Sequence, residues 1–143
     1  MRLATAIGCA VNGGIFFAFS SFVMPALNRL DAERATAAMN AINVAAVRPA
    51  FMTVLFGTAV LTVVTCVSGV RQRDGLLVAG SVVFLVGVIG LTVGYHVPLN
   101  DALASGRTSW ATYERGWTAL NHVRALAGIA AAALIGASAI RSS

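Results

Sequence analysis

Four long apolar stretches constrain this chain more than any other feature of its sequence. They cover approximately residues 3–28, 49–70, 75–97 and 117–140. A helix needs about 20 predominantly apolar residues to cross a hydrocarbon core of about 30 Å. Because lipid offers no hydrogen bonds to the backbone, each stretch must pair its own polar groups, as a helix does. We therefore predict an all-α fold, a four-transmembrane-helix bundle of up-down-up-down topology.

Composition supports a single integral membrane domain over residues 1–143. Hydrophobic residues make up 58% of the chain and charged residues 10%, and the mean hydropathy is +0.83. The net charge is +5, and the basic residues are arginines spread over the ends of the apolar stretches. This scattered arrangement is unlike the clustered basic patch of a nucleic-acid-binding surface. Cys9 and Cys66 lie far apart inside apolar runs, so neither a disulfide nor a metal pair is expected.

The three connections differ in length. Residues 71–75 form a tight turn, whereas 29–48 and 97–116 are long and lie at the opposite end of the bundle from the termini. Asp31 is a suitable N-cap for a helix in the first long connection. In the second, Trp110 and aromatic residues three and seven positions later share one face of a helix. We predict a short interfacial helix in each long connection, together covering one end of the bundle.

Arginine placement gives an expected orientation. Arg71 and Arg73 lie in the tight turn, and Arg2 and Arg141 flank the termini at the same end of the bundle. Their density predicts that the termini are cytoplasmic, by the positive-inside rule. We expect the protein in the cytoplasmic membrane of a bacterium.

The fourth stretch begins with the polar tetrapeptide "NHVR" (121–124). On a helical wheel Asn121, Arg124 and Gly128 share a stripe predicted to face the bundle, while His122 lies on its flank. A buried intramembrane arginine is costly and usually has a partner or a function. The alternative is a salt bridge from Arg124 to a nearby carboxylate, Asp101 or Glu114.

Small residues recur every four positions in three of the spans, a spacing that permits close helix packing in lipid. The rows are Ala10/Gly14/Ala18, Gly90/Gly94 and Gly128/Ala132/Gly136.

A second polar segment, "HVPLND" (96–101), lies at the same end of the bundle as "NHVR". Pro98 is predicted to end the third helix near Tyr95, because proline removes a backbone donor. Non-helical backbone at membrane depth usually lines a cavity. The topology thus predicts a pocket between these two segments.

Four motifs, in order, resemble the anthrone oxygenase-like family. They are "GGIFFAFSSFVMPAL" (13–27), "AMNAIN" (38–43), "VPLNDALA" (97–104) and the spaced "W…NHVR" (117–124). The resemblance implies a small four-helix membrane protein, and some members of the family oxidise anthrones with O₂ without an organic cofactor. Most bacterial members have no assigned substrate, so the resemblance supports the fold more strongly than the activity. It highlights a set of residues in this chain: Asn43, Pro98, Asn100, Trp117, Asn121 and Arg124.

For this chain, the resemblance implies oxidation of a flat, lipophilic anthrone- or quinol-type compound, with no cofactor and no metal. Either His96 or His122 would remove a benzylic proton. The resulting enolate would be stabilised by Arg124, Asn100 and Asn121. The predicted substrate-binding residues are Asn43, Pro98, Tyr113 and Trp117, the aromatic pair stacking on the rings.

Two alternatives remain open, since the sequence contains none of the familiar catalytic motifs. The chain could be a non-catalytic membrane protein that binds a lipid or quinone or assists a partner complex. It could also bind haem or a metal through His96 and His122. The expected partners are the lipid bilayer and a lipophilic small molecule, without nucleic acid, and association with further copies is left open.

Overall fold

The computed structural model describes residues 1–141, which form five helices and no strand. We number them α1 (Arg2–Leu27), α2 (Ala32–Ala46), α3 (Pro49–Gln72), α4 (Gly75–Ala104) and α5 (Trp110–Arg141). All except α2 are long and apolar enough to cross a membrane. The predicted all-α bundle of four spans is confirmed.

The four spanning helices pack in a closed ring. Helix α1 contacts α3 and α5, and α4 contacts the same two helices from the other side. Large apolar side chains from all four meet in the centre, among them Phe16, Leu55, Phe84 and Ile135.

Helices α1 and α5 approach most closely at two glycines. A Cβ atom on Gly128 would lie 2.7 Å from Cα of Gly13, so the contact requires glycine. The predicted importance of Gly128 is therefore confirmed. The predicted close packing at Gly14, Gly94 and Gly136 is wrong, because space is open around their Cβ positions. On α1 the neighbouring face, containing Cys9, Gly13 and Phe16, is buried instead.

A polar cluster joins the helix ends near the termini. Asp74 caps α4 by accepting hydrogen bonds from the N–H groups of Leu76 (3.1 Å) and Leu77 (3.2 Å). Its carboxylate also accepts from the Ser138 hydroxyl of α5 and pairs with Arg2 of α1 at 3.6 Å. The start of α4 and the two termini thus lie together, as the predicted topology requires.

The two long connections differ from each other. Asp31 caps α2 by accepting a hydrogen bond from the N–H of Arg34 at 2.9 Å, as predicted. The second connection has no separate helix, because Trp110 already begins α5, which continues without a break to Arg141. The predicted aromatic face is real, but it belongs to the first turns of that long helix, against which α2 packs.

Pro98 does not end a helix, so the prediction that the third span stops near Tyr95 is wrong. Helix α4 continues through Pro98 to Ala104. Its backbone is π-helical over Leu85–Gly90 and again over Thr92–His96, immediately before the proline. A π-turn shifts hydrogen bonding from i−4 to i−5 and so accommodates the missing donor.

Candidate functional site

A cavity of about 410 Å³ lies beneath α2, surrounded by all four spanning helices. Its walls are mainly apolar, and the larger side chains among them are Phe16, Phe19, Ile42, Phe51, Met52 and Leu55. Six residues bring polar groups to it: Asn43, Thr92, His96, Asn100, Trp117 and Arg124. The predicted pocket at this end of the bundle therefore exists.

Arg124 is the only charged residue in the lining and is 4% exposed. Its guanidinium donates to Oδ1 of Asn121 (2.7 Å) and to Oγ1 of Thr92 (3.3 Å). It also lies over aromatic rings, 4.3 Å from the centroid of Phe16 and 5.3 Å from that of Trp117. Within residues 1–141 no carboxylate pairs with it, so the predicted alternative of a salt bridge to a nearby acidic residue is wrong.

Asn121 lies behind Arg124 and does not line the cavity. Its amide nitrogen donates to the backbone oxygen of Phe16 (2.7 Å) and to the hydroxyl of Ser20 (2.6 Å). These bonds orient the amide so that its oxygen faces Arg124. The placement favours a positioning role for Asn121 rather than direct contact with a ligand.

The residues around this pair come from π-helical backbone. Ser20 lies in a π-helical segment of α1 (Phe19–Val23), and Thr92 and His96 belong to the segment of α4 that precedes Pro98. π-Helical turns are rare and occur frequently at functional sites. Here the segment in α1 places Ser20 against Asn121, and the segment in α4 places Thr92 against Arg124.

His96 is buried, with 1% exposure, and packs edge-on against the indole of Trp117. Its Nδ1 lies 3.1 Å from the backbone oxygen of Leu91, and its Nε2 lies 3.3 Å from that of Trp117. A neutral imidazole has one N–H and can donate to only one of these oxygens. A protonated ring could donate to both, but it would be a second buried cation beside Arg124.

Two buried donors of cavity-lining residues have no hydrogen-bond partner within residues 1–141. They are Nε of Arg124 and Nε1 of Trp117. An unsatisfied buried donor costs about 1–3 kcal/mol. These nitrogens have almost no accessible surface, so a ligand reaches them only after a side-chain shift. An apolar cavity with one buried cation is suited to a flat apolar molecule with an oxygen acceptor.

The sequence of this chain matches a protein-family model. The anthrone oxygenase family matches residues 44–134, well over half of the chain. The chain belongs to this family. A search of curated proteins and a search of solved structures each give no match.

The family match includes α3, α4 and most of α5, and therefore the cavity residues His96, Asn100, Trp117 and Arg124. Two of the predicted motifs, "VPLNDALA" and "W…NHVR", lie inside it. The other two, in α1 and α2, precede it, so Asn43 contributes to the cavity from outside the matched region.

Besides Asn121, three predicted site residues lie outside the cavity lining. His122 is exposed on the outer surface of α5, because one residue after Asn121 is about 100° further around the helix. It is therefore neither a base in this pocket nor a haem ligand paired with the buried His96. Pro98 is exposed as well. Tyr113 is buried in the layer above, where its hydroxyl donates to Oδ1 of Asn100 at 2.8 Å.

The sequence reasoning missed two cavity residues that contact Arg124. Thr92 lies four positions before His96 and hence on the same face of α4, which was a usable signal. Phe16 belongs to one of the quoted motifs, but nothing in the sequence showed which of its aromatic residues turns inward. Among residues 1–141, no group of three His, Cys, Asp or Glu side chains is placed to hold a metal ion.

Proposed function

We propose that this chain is a membrane-embedded oxygenase that converts a flat, lipophilic ketone of the anthrone type into a quinone with O₂. The observation that carries the proposal is the buried charge of Arg124, which lines an otherwise apolar cavity and has no carboxylate partner within residues 1–141. Membership of the anthrone oxygenase family supports the same chemistry. One oxygen atom of O₂ becomes the new carbonyl, and the other leaves as water.

In the first step the ligand's carbonyl oxygen accepts hydrogen bonds from Arg124. A base removes a proton from the methylene carbon on the far side of the same ring, and the electron pair moves to the carbonyl oxygen as the enolate forms. Preorganised donors stabilise such a developing negative charge most effectively where water is excluded. His96 is the base we assign, because no other side chain in the cavity lining can accept a proton near neutral pH. Its ring must turn from the backbone oxygens of Leu91 and Trp117 to reach the ligand.

The second step needs no redox group in the protein. The enolate carbon transfers electrons to O₂ and forms a carbon–oxygen bond, giving a peroxide that takes the proton back from His96. Removal of the remaining hydrogen on that carbon, with cleavage of the O–O bond, forms the second carbonyl and releases water. Electrons and atoms balance with O₂ as the oxidant.

Oxygen uptake by the purified protein in lipid nanodiscs tests the proposal. Anthrone should be consumed with one O₂ per molecule, and 9,10-anthraquinone should appear at the same rate. His122→Gln is a matched control, because this histidine lies outside the cavity. An uptake rate equal to that of empty nanodiscs would refute the proposal.

A second candidate, binding of a quinone or lipid without turnover, is favoured by one observation. Both ring nitrogens of His96 lie within 3.3 Å of backbone oxygens, so neither is directed freely into the cavity. Tight binding of 9,10-anthraquinone with no oxygen uptake from anthrone would establish this candidate in place of the oxygenase.

We also propose that the protein resides in the bacterial cytoplasmic membrane, with Arg71 and Arg73 on the cytoplasmic side. Reporter fusions to the C-terminus should then be active only when the reporter functions in the cytoplasm.

A further inference from the structure

The cavity is open on one side, between the junction of α2 with α3 and the facing part of α4. Three of its lining residues are exposed: Ala45, Val47, at 67%, and Val97, at 47%. Phe51 and Met52, in the first turn of α3, are half-buried beside them. The rim of the opening is therefore apolar on both sides.

Charged residues place this opening on the hydrocarbon side of the membrane interface. Arg48 is exposed next to Val47, immediately before α3 begins. Asp101 is exposed four residues after Val97, about 6 Å further along α4. Charged groups at helix ends extend to the headgroups, so the two valines lie at or below that level.

The outer face of α2 is charged in its first turn and apolar in its last turns, which lie next to the opening. Its first turn carries exposed Glu33 and Arg34. Its last turns expose Ala41 and Val44, followed by Val47. Apolar side chains of an interfacial helix are buried in the acyl region, so the end of α2 next to the opening contacts lipid rather than water.

We propose that the cavity opens laterally into the bilayer and that its ligand enters from the hydrocarbon region between Val47 and Val97. The ligand's chemical class, a flat apolar ketone or quinone, rests on the proposed function. Transfer from lipid to an apolar cavity changes little apolar hydration. Selectivity then comes from the Arg124 charge in the lining, which discriminates a carbonyl compound from the surrounding acyl chains.

Narrowing the opening tests the route, and the chain provides a closely matched control. Val44 and Val47 are both 67% exposed, but only Val47 lines the cavity. We would compare Val47→Phe with Val44→Phe, and add Val97→Phe from the opposite rim. The probe is 9,10-anthraquinone in nanodiscs, followed by stopped-flow quenching of Trp117 fluorescence in a Trp110→Phe background.

Val47→Phe and Val97→Phe should slow association and dissociation alike, by about threefold to tenfold, the cost of displacing one further side chain from its rotamer. Because association and dissociation slow together, the dissociation constant should change less than either rate. Val44→Phe should match the parent protein. Equal association rates for Val47→Phe and Val44→Phe would overturn the lateral route while leaving the proposed function intact.

The source of the ligand is tested by comparing two lipids that differ in their partition coefficient for anthraquinone, at one aqueous anthraquinone concentration. Entry from the bilayer predicts an association rate that rises with the mole fraction of anthraquinone in the lipid. Equal association rates in the two lipids would overturn the proposal. If the parent protein binds no anthraquinone at all, the proposed function and this route are both refuted.

Discussion

Replacing Arg124 by methionine tests whether the charge of this residue serves activity or the stability of the fold. Methionine retains an unbranched apolar stem but removes the guanidinium, and with it the hydrogen bonds to Asn121 and Thr92 and the contacts with the rings of Phe16 and Trp117. If Arg124 stabilises an enolate, the change removes the only charged donor in the cavity lining.

The substitution has an expected magnitude both for activity and for stability. Loss of one preorganised donor to a developing oxyanion typically lowers kcat by about 10²- to 10³-fold. Stability should change little: the oxygen of Asn121 loses its partner, at about 1–3 kcal/mol, but the cost of burying a cation without a carboxylate disappears. We expect the free energy of unfolding to change by less than about 2 kcal/mol.

The assay combines oxygen uptake with anthrone and thermal unfolding of the same nanodisc preparation. Arg124→Lys is the companion variant, which keeps the charge but not the forked geometry, and its activity should lie between those of the parent and Arg124→Met. A methionine variant that unfolds more easily by several kcal/mol yet oxidises anthrone at the parent rate would show that Arg124 serves the fold alone.

Three further predictions concern single positions. His96→Gln should lower kcat by about 10²-fold or more, as expected for loss of a general base, whereas His122→Gln should leave kcat unchanged; equal losses would refute the assignment. The hydrogen bond from Ser138, aided by the N–H groups that Asp74 caps and by Arg2, lowers the pKa of the Asp74 carboxyl. Its stabilising contribution is therefore present above the ordinary carboxyl pKa and lost as the pH falls through the lower folded value, so the melting temperature should fall below about pH 4 in the parent more than in Asp74→Asn. Gly128→Ala should destabilise the bundle by about 1–3 kcal/mol, because its Cβ would meet Gly13 at 2.7 Å; Gly136→Ala, with open space, is the control, and equal melting temperatures would contradict the packing.

The spans and the inward position of Arg124 could be predicted because lipid imposes strong local rules. A helix must be about 20 apolar residues long, and a charge within it must turn away from the acyl chains. The start of α2 could likewise be predicted, because the short carboxylate side chain of Asp31 can accept a hydrogen bond from a free backbone N–H group of the first turn. Each of these features depends on nearby residues alone.

The remaining features depend on contacts that the sequence does not display. Pro98 was expected to end its helix, but the π-helical turn over Thr92–His96 absorbs the missing donor, and the sequence alone did not reveal that turn. The sequence predicts Trp110 in a separate helix, whereas it begins α5. The length needed to cross the bilayer sets a minimum for a helix and does not show how far the helix extends beyond the membrane. The exposed position of His122 follows from helical periodicity, and the flank position already indicated it.

An experimental map of the protein with 9,10-anthraquinone would test the central claim most directly. We predict that the ring system occupies the cavity beneath α2, with a carbonyl oxygen about 3 Å from Nε of Arg124, the distance of an ordinary hydrogen bond. A quinone bound elsewhere, for example in the groove near Met1 and Val64 at the opposite end, with the cavity beneath α2 unoccupied, would contradict the account.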